Sequence, residues 1–135
     1  MSAAMMADLR NALLAEPGVR FAALFGSIAR GDEDQGSDVD LLVDLTDDEP
    51  MARVALATRL RPSAGRDVDI ALLDRIQENA PLLLSRVLDE GQVIVDRDGV
   101  WADLQRQRHT IDAQADRSYR QQMKEAAKAI ENLTA

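Results

Sequence analysis

The sequence predicts an α/β fold. Short apolar runs of strand character at residues 19–25, 38–45, 66–72 and 92–95 alternate with stretches whose apolar residues recur at helical spacing. Beyond them, residues 100–133 lack Gly and Pro and read as a long helix. A length of 135 residues suits one domain with its own hydrophobic core. With 46% apolar and 30% charged residues, the composition is that of a soluble globular chain.

Residues 3–15 place Met6, Leu9, Leu13 and Leu14 at helical spacing, and Pro17-Gly18 stops the helix. It is expected to cover the sheet, with Met5 and Met6 as core fillers. Residues 19–25 are apolar enough for a strand buried on both faces. Residues 27–30 make a turn and the first residues of a helix. Residues 31–37 are polar and rich in turn formers, hence a loop whose three acids face solvent.

Residues 38–45 return as a second strand, with Val39, Leu41, Val43 and Leu45 facing the core and Asp38, Asp40, Leu42 and Asp44 on the other face. A turn at 47–50 leads to a helix over residues 51–60, with Val54, Leu56 and Leu60 apolar and Arg53, Arg59 and Arg61 exposed. Pro62 to Gly65 ends it, and residues 66–72 form a third strand. Asp74 begins a connection, and Pro81 sits in the first turn of a helix whose apolar side is Leu82, Leu83, Val87 and Leu88. Residues 92–95 are a short fourth strand, followed by a turn at 96–99. Nothing in residues 74–99 suggests chemistry. The tail carries Trp101, Leu104, Ile111, Met123, Ile130 and Leu133, but its apolar face is thin between 105 and 122. Such a helix runs across the surface or packs on another chain. His109, among Arg and Gln, reads as solvated. Tyr119 reads as partly buried against the domain, with a docking or modified residue as the alternative.

The chemistry concentrates between Leu24 and Asp44. A Gly26-Ser27 pair is followed, ten residues later, by Asp38-Val39-Asp40. Gly26 has no Cβ, so a phosphate can approach the backbone there. Ser27 would open the helix and offer a hydroxyl and amide donors to an anion. Asp38 and Asp40 project from one face of a strand, and their repulsion becomes tolerable with a divalent cation between them. A phosphate cradle beside an acid pair suits transfer of a nucleotidyl group. Arg30, three residues after Ser27, either lies near the same phosphates or pairs at the surface with Asp32 or Asp34. Asp44 is too far along the strand to share the ion and reads as a strand-end residue.

Gly-Ser, ten residues, then Asp-x-Asp, with a further acid on a later strand, resembles the nucleotidyltransferases of the DNA polymerase β-like fold. GSIARG followed by SDVDLLV in so short a chain is most similar to the minimal nucleotidyltransferase (MNT) group, over residues 8–96. The resemblance implies a small mixed sheet of about four strands with helices on one side, then a long C-terminal helix. It implies a catalytic domain at 1–96; the tail at 97–135, which the motif does not fix, reads from its own pattern as a helical extension packing on that domain or on a partner. It also implies a third carboxylate, for which Asp69 in VDIALL fits best and Asp67 is the reserve; a buried strand acid paired with an arginine such as Arg66 is the plain structural reading of Asp69. In the implied reaction Gly26, Ser27 and Arg30 contact the triphosphate of ATP, and Asp38, Asp40 and Asp69 serve one or two Mg²⁺ ions. Asp69 can also act as general base. Many MNT proteins are antitoxins of HEPN-domain toxins, which are RNases, and some transfer AMP to a tyrosine of the toxin. The expected partner is therefore a cognate HEPN toxin in a hetero-oligomer. Two other readings stand beside it: a small-molecule transferase of the aminoglycoside-modifying type, for which the chain leaves little room, and an antitoxin acting by binding alone.

The totals narrow the chemistry. With no Cys, disulfides and thiolate metal sites are excluded, which fits a reducing cytosol. The single His109 leaves a metal site to carboxylates and so to Mg²⁺ or Mn²⁺. A net charge of −8 argues against direct nucleic-acid binding. The excess is uneven: residues 1–96 hold 9 Lys/Arg against 18 Asp/Glu, residues 97–135 hold 7 against 6. No apolar run approaches membrane-spanning length and no signal peptide is evident, so a cytoplasmic protein without membrane contact is expected.

Overall fold

A computed structural model of the chain describes residues 2–31, 36–47 and 49–134. Helix α1 (Ala3–Leu14) is capped by Ser2, whose Oγ accepts from the Met5 amide at 3.2 Å. Its Leu9 and Leu13, four residues apart, are buried, and Met6 packs beside them. Leu14 is exposed instead of apolar-facing, because it lies about 100° round the helix from Leu13. Strand β1 (Val19–Phe25) runs directly into a short helix, α2 (Gly26–Arg30). Strand β2 (Val39–Leu45) follows, leaving Asp38 just ahead of it. The acids Asp32, Glu33 and Asp34, expected in a solvated loop, and Asp48 of the 47–50 turn lie outside the described residues.

Helix α3 (Ala52–Ala64) runs past the stop expected at Pro62 and ends at Gly65, in left-handed conformation at φ +71°. In the last turn a proline forfeits a single amide bond, and the Gly65 N–H closes the helix on the Arg61 carbonyl at 2.9 Å. Leu56 and Leu60 are buried, whereas Val54, expected beside them, is exposed. Strand β3 (Val68–Leu72) passes straight into α4 (Leu73–Asn79), where only a connection is expected from the sequence. Helix α5 (Pro81–Glu90) follows, with Pro81 in its first turn and Leu84, Val87 and Leu88 buried. Strand β4 (Gln92–Asp96) completes the sheet.

The sheet order is β3-β2-β1-β4, with β1 antiparallel to β2 and β4, and β2 parallel to β3. It is the mixed sheet expected, but helices cover both faces, not one. On one face Leu9, Leu13, Leu56 and Leu60 of α1 and α3 pack on Val39, Leu41 and Val43. On the other, Leu73, Leu84 and Val87 pack with Phe21, Ala23 and Leu42. Strands that are apolar on both faces must have both covered, and Leu42 on the acid face is such a residue.

The C-terminal region is two helices and not one. Asp96 caps α6 (Val100–Arg106) by accepting from the Val100 and Trp101 amides at 2.9 and 3.1 Å. At Gln107 the amide is shared between the Asp103 and Leu104 carbonyls, and α7 (Arg108–Thr134) begins. Val100, Leu104 and Ile111 join the second core, Trp101 stacks on Phe21 with centroids 6.0 Å apart, and α5 packs along α7. From Asp116 onward no described residue of α7 is buried, and Tyr119, expected to be partly buried, is exposed. His109 is exposed as expected. Among the described residues no helix is long and apolar enough to cross a membrane.

Candidate active site

The candidate site lies at one edge of the sheet, where β1 ends and β2 and β3 begin. Strand register brings it together: Phe25 pairs with Asp40 across the antiparallel ladder, and Asp40 pairs with Asp69 across the parallel one. Residues opposite each other share a face, so Asp40 and Asp69 project side by side. Asp38 stands two residues ahead of Asp40 and is exposed.

Gly26 follows Phe25 with φ +78°, and a Cβ built there would meet Asp40 Oδ2 at 2.3 Å. The position needs glycine twice over, for its conformation and for the carboxylate lying on it. Ser27 does not open the helix as expected; α2 already starts at Gly26, with Phe25 at its cap and no side-chain capping bond. With five residues, α2 contributes little dipole, so an anion here would rest on local amides and the half-buried Ser27.

The Asp40 carboxyl is pushed above its ordinary value, first by burial, then by the charges of Asp69 and Asp38, with Arg30 opposing. Asp67 is out of the set: it is exposed and pairs with Arg61 at 3.0 Å. Arg66 Nη1 donates to the Ser37 carbonyl at 3.1 Å, one residue before Asp38. Arg30 pairs with Glu90 of α5 at 3.0 Å, a partner the sequence reading missed. Asp44 bonds Arg20 at 2.7 Å, at the far end of β2, as a strand-end residue.

Among the described residues no three acidic or imidazole side chains form a ready metal cage. The acids nevertheless suit a hard cation. Mg²⁺ is usually held by one or two carboxylates together with substrate phosphates and waters. Asp38 and Asp40, with Asp69 beside them, could hold such an ion, and the raised Asp40 carboxyl is the mark of negative charge in want of a counter-charge. A separate cleft lined by Glu16, Gly18, Leu45, Met51 and Arg59 lies at the opposite end of β1 and β2, away from these acids.

Comparison with known proteins gives the family and the fold. The sequence pattern of the family described as polymerase beta, nucleotidyltransferase, matches residues 8–99. The candidate protein adenylyltransferase MJ0435 of Methanocaldococcus jannaschii is 34% identical over 79 residues, which are 58% of this chain and 82% of that protein. Among solved structures, a chain of a toxin–antitoxin complex with AMP-PNP superposes with a TM-score of 0.61 at 21% identity, covering 96% of this chain and 98% of that one. A chain from a tri-AMPylated HEPN toxin in complex with MNT antitoxin, from Shewanella oneidensis, gives 0.55 at 20% identity, covering 96% and 99%. At these identities the structural likeness establishes the fold.

Proposed function

Since the chain belongs to the polymerase beta nucleotidyltransferase family, we propose that it is a Mg²⁺-dependent adenylyltransferase acting on a partner protein. It moves AMP from ATP to a tyrosine hydroxyl of a cognate HEPN toxin, and so neutralises it. The observation that carries this reading is the lateral row Gly26–Asp40–Asp69, a glycine backbone on which the Asp40 carboxylate lies, with Asp69 in register beside it on the same face.

In this mechanism the backbone at Gly26, the Ser27 hydroxyl and the Arg30 guanidinium hold the triphosphate. Asp38 and Asp40, with Asp69, would hold one or two Mg²⁺ ions, which would supply charge neutralisation for the phosphate oxygens. The tyrosine oxygen attacks the α-phosphorus, the bond to the bridging oxygen breaks, and diphosphate leaves with its electron pair. Asp69, on the exposed side of the row, accepts the proton that the hydroxyl gives up. The relatives support the protein acceptor: one is a candidate protein adenylyltransferase, another comes from a complex with an AMPylated toxin.

The test is intact mass of the HEPN-type neighbour after incubation with this protein, ATP and Mg²⁺. Whole AMP units should appear on the neighbour, and none with the Asp38→Asn/Asp40→Asn variant. Transfer that survives both substitutions would sink the assignment. A second reading, inhibition by binding alone, is favoured by one observation, the uncovered run of α7 beyond Ala115. It predicts a silenced complex in which the neighbour's mass stays unchanged.

A further inference from the structure

The segment Glu90-Gly91-Gln92 joins α5 to β4 without a loop, and both flanking side chains reach α2. Glu90 Oε1 accepts from Arg30 Nη1 at 3.0 Å, and Gln92 Nε2 donates to the Ala29 carbonyl at 3.1 Å. Gly91 makes the close passage possible. A Cβ there would sit 2.5 Å from the Val87 carbonyl oxygen and 3.5 Å from that of Leu24, although its φ of −69° is open to any residue. Gln92 is the register partner of Leu24, two residues before Gly26. The end of α5 is thereby fixed against the end of β1, and α2 is clasped from outside at its last two residues.

We infer that Glu90 is a positioning residue: it fixes the Arg30 guanidinium for the phosphates of the nucleotide and keeps it from collapsing onto the Asp38–Asp40–Asp69 carboxylates. The inference rests on the nucleotidyltransferase reading above. Arg30 closes a five-residue helix, and its partly exposed side chain is tied to α5 through Glu90 at 3.0 Å. The Asp40 carboxylate, itself beside Asp69 and Asp38, feels the Arg30 charge, and a guanidinium drawn fully onto it would occupy the charge that a metal ion needs. Glu90, at the end of α5, accepts from Arg30 Nη1 and so gives the planar fork a defined orientation. Gln92 holds the backbone that carries it.

The test compares wild type with Glu90→Ala, Glu90→Gln, Arg30→Ala and the Glu90→Ala/Arg30→Ala pair, by calorimetric titration with AMP-PNP in Mg²⁺. Glu90→Ala should weaken binding about fivefold, the scale of one partly exposed ion pair. Glu90→Gln, which keeps an acceptor, should recover part of it. The double variant should bind no more weakly than Arg30→Ala alone, since Glu90 acts through Arg30. The Arg30 Nε–H signal in nucleotide-free protein, assigned by its loss in Arg30→Ala, should broaden or exchange faster in Glu90→Ala. Unchanged binding in Glu90→Ala, or additive losses in the double variant, would overturn the positioning role while leaving the transferase reading intact. A wild type that binds no AMP-PNP would overturn the transferase reading and this inference with it.

Discussion

Asp40 shows how the site is built at a cost in stability. Its carboxyl takes up a proton at higher pH in the folded protein than in the unfolded chain, because burial and two neighbouring acids disfavour its charge. Between those two pKa values the folded state binds more protons than the unfolded state. Stability therefore falls as pH rises through that window, and stays lower above it. Asp40→Asn removes the charge and should raise Tm at pH 7 by about 1–3 °C while eliminating transfer, with the gain shrinking at pH 4. Paired melts at the two pH values check this, and a fall in Tm at pH 7 would mean that the carboxylate stabilises the fold. Gly26→Ala works in the other direction. Its φ of +78° and the 2.3 Å approach to Asp40 Oδ2 make any side chain strained, so a loss of about 1–3 kcal/mol in urea denaturation is expected. Asp40→Ala in the same chain should return part of that loss, because it removes the clash but not the dihedral.

The strands were readable because each is an apolar run bounded by turn residues, and β1 falls at the residues the sequence indicates. Other elements lacked such a signal. In α4 only Leu73 and Ile76 carry the helical period, too little to distinguish seven residues of helix from a connection. Covering of the second face was missed because Leu42 sits among acids at Asp40 and Asp44, so the face read as functional along its whole length. At the site, the spacing of Asp38 and Asp40 is local and visible in sequence, and Asp69 came from family likeness. The Arg30–Glu90 contact joins residues 60 apart that no periodicity connects. Element α7 carries a prediction of its own. Ile111 and Ala115 are its buried residues, and every described residue after Ser118 is exposed. Truncation after Ser118 should leave Tm within about 2 °C of the full chain, since no core contact is lost. In the proposed complex the same truncation should weaken capture of the HEPN toxin, because Tyr119, Met123, Ile130 and Leu133 are the apolar residues that α7 leaves uncovered. A fall in Tm of 5 °C or more (about 1–2 kcal/mol) would assign α7 to the fold instead.

At the scale of the molecule, Asp40 and Asp69 come from different strands and Gly26 follows a third, and the sheet is what joins them. The 1–96 region carries a net charge of −9, so a nucleotide triphosphate approaches an acidic body. Neither ligand alone is well provided for. Mg²⁺ finds no cage of three acids among the described residues, and the triphosphate meets like charge from Asp38, Asp40 and Asp69. In the proposed mechanism each would supply what the other lacks, phosphate oxygens for the ion and positive charge for the phosphates. Thermal stabilisation should therefore be strongly cooperative. At about one hundred times Kd, AMP-PNP with Mg²⁺ should add about 2.7 kcal/mol, raising Tm by about 10 °C. Mg²⁺ alone, or AMP-PNP in EDTA, should each give less than a quarter of that. Full stabilisation by AMP-PNP in EDTA would show that the acid row does not act through a metal. Full stabilisation by Mg²⁺ alone would show that the chain cages the ion by itself, and the division of labour between protein acids and substrate phosphates would then fail. Asp38→Asn should abolish the cooperative part but leave unfolding two-state, because an exposed residue ahead of β2 carries no packing.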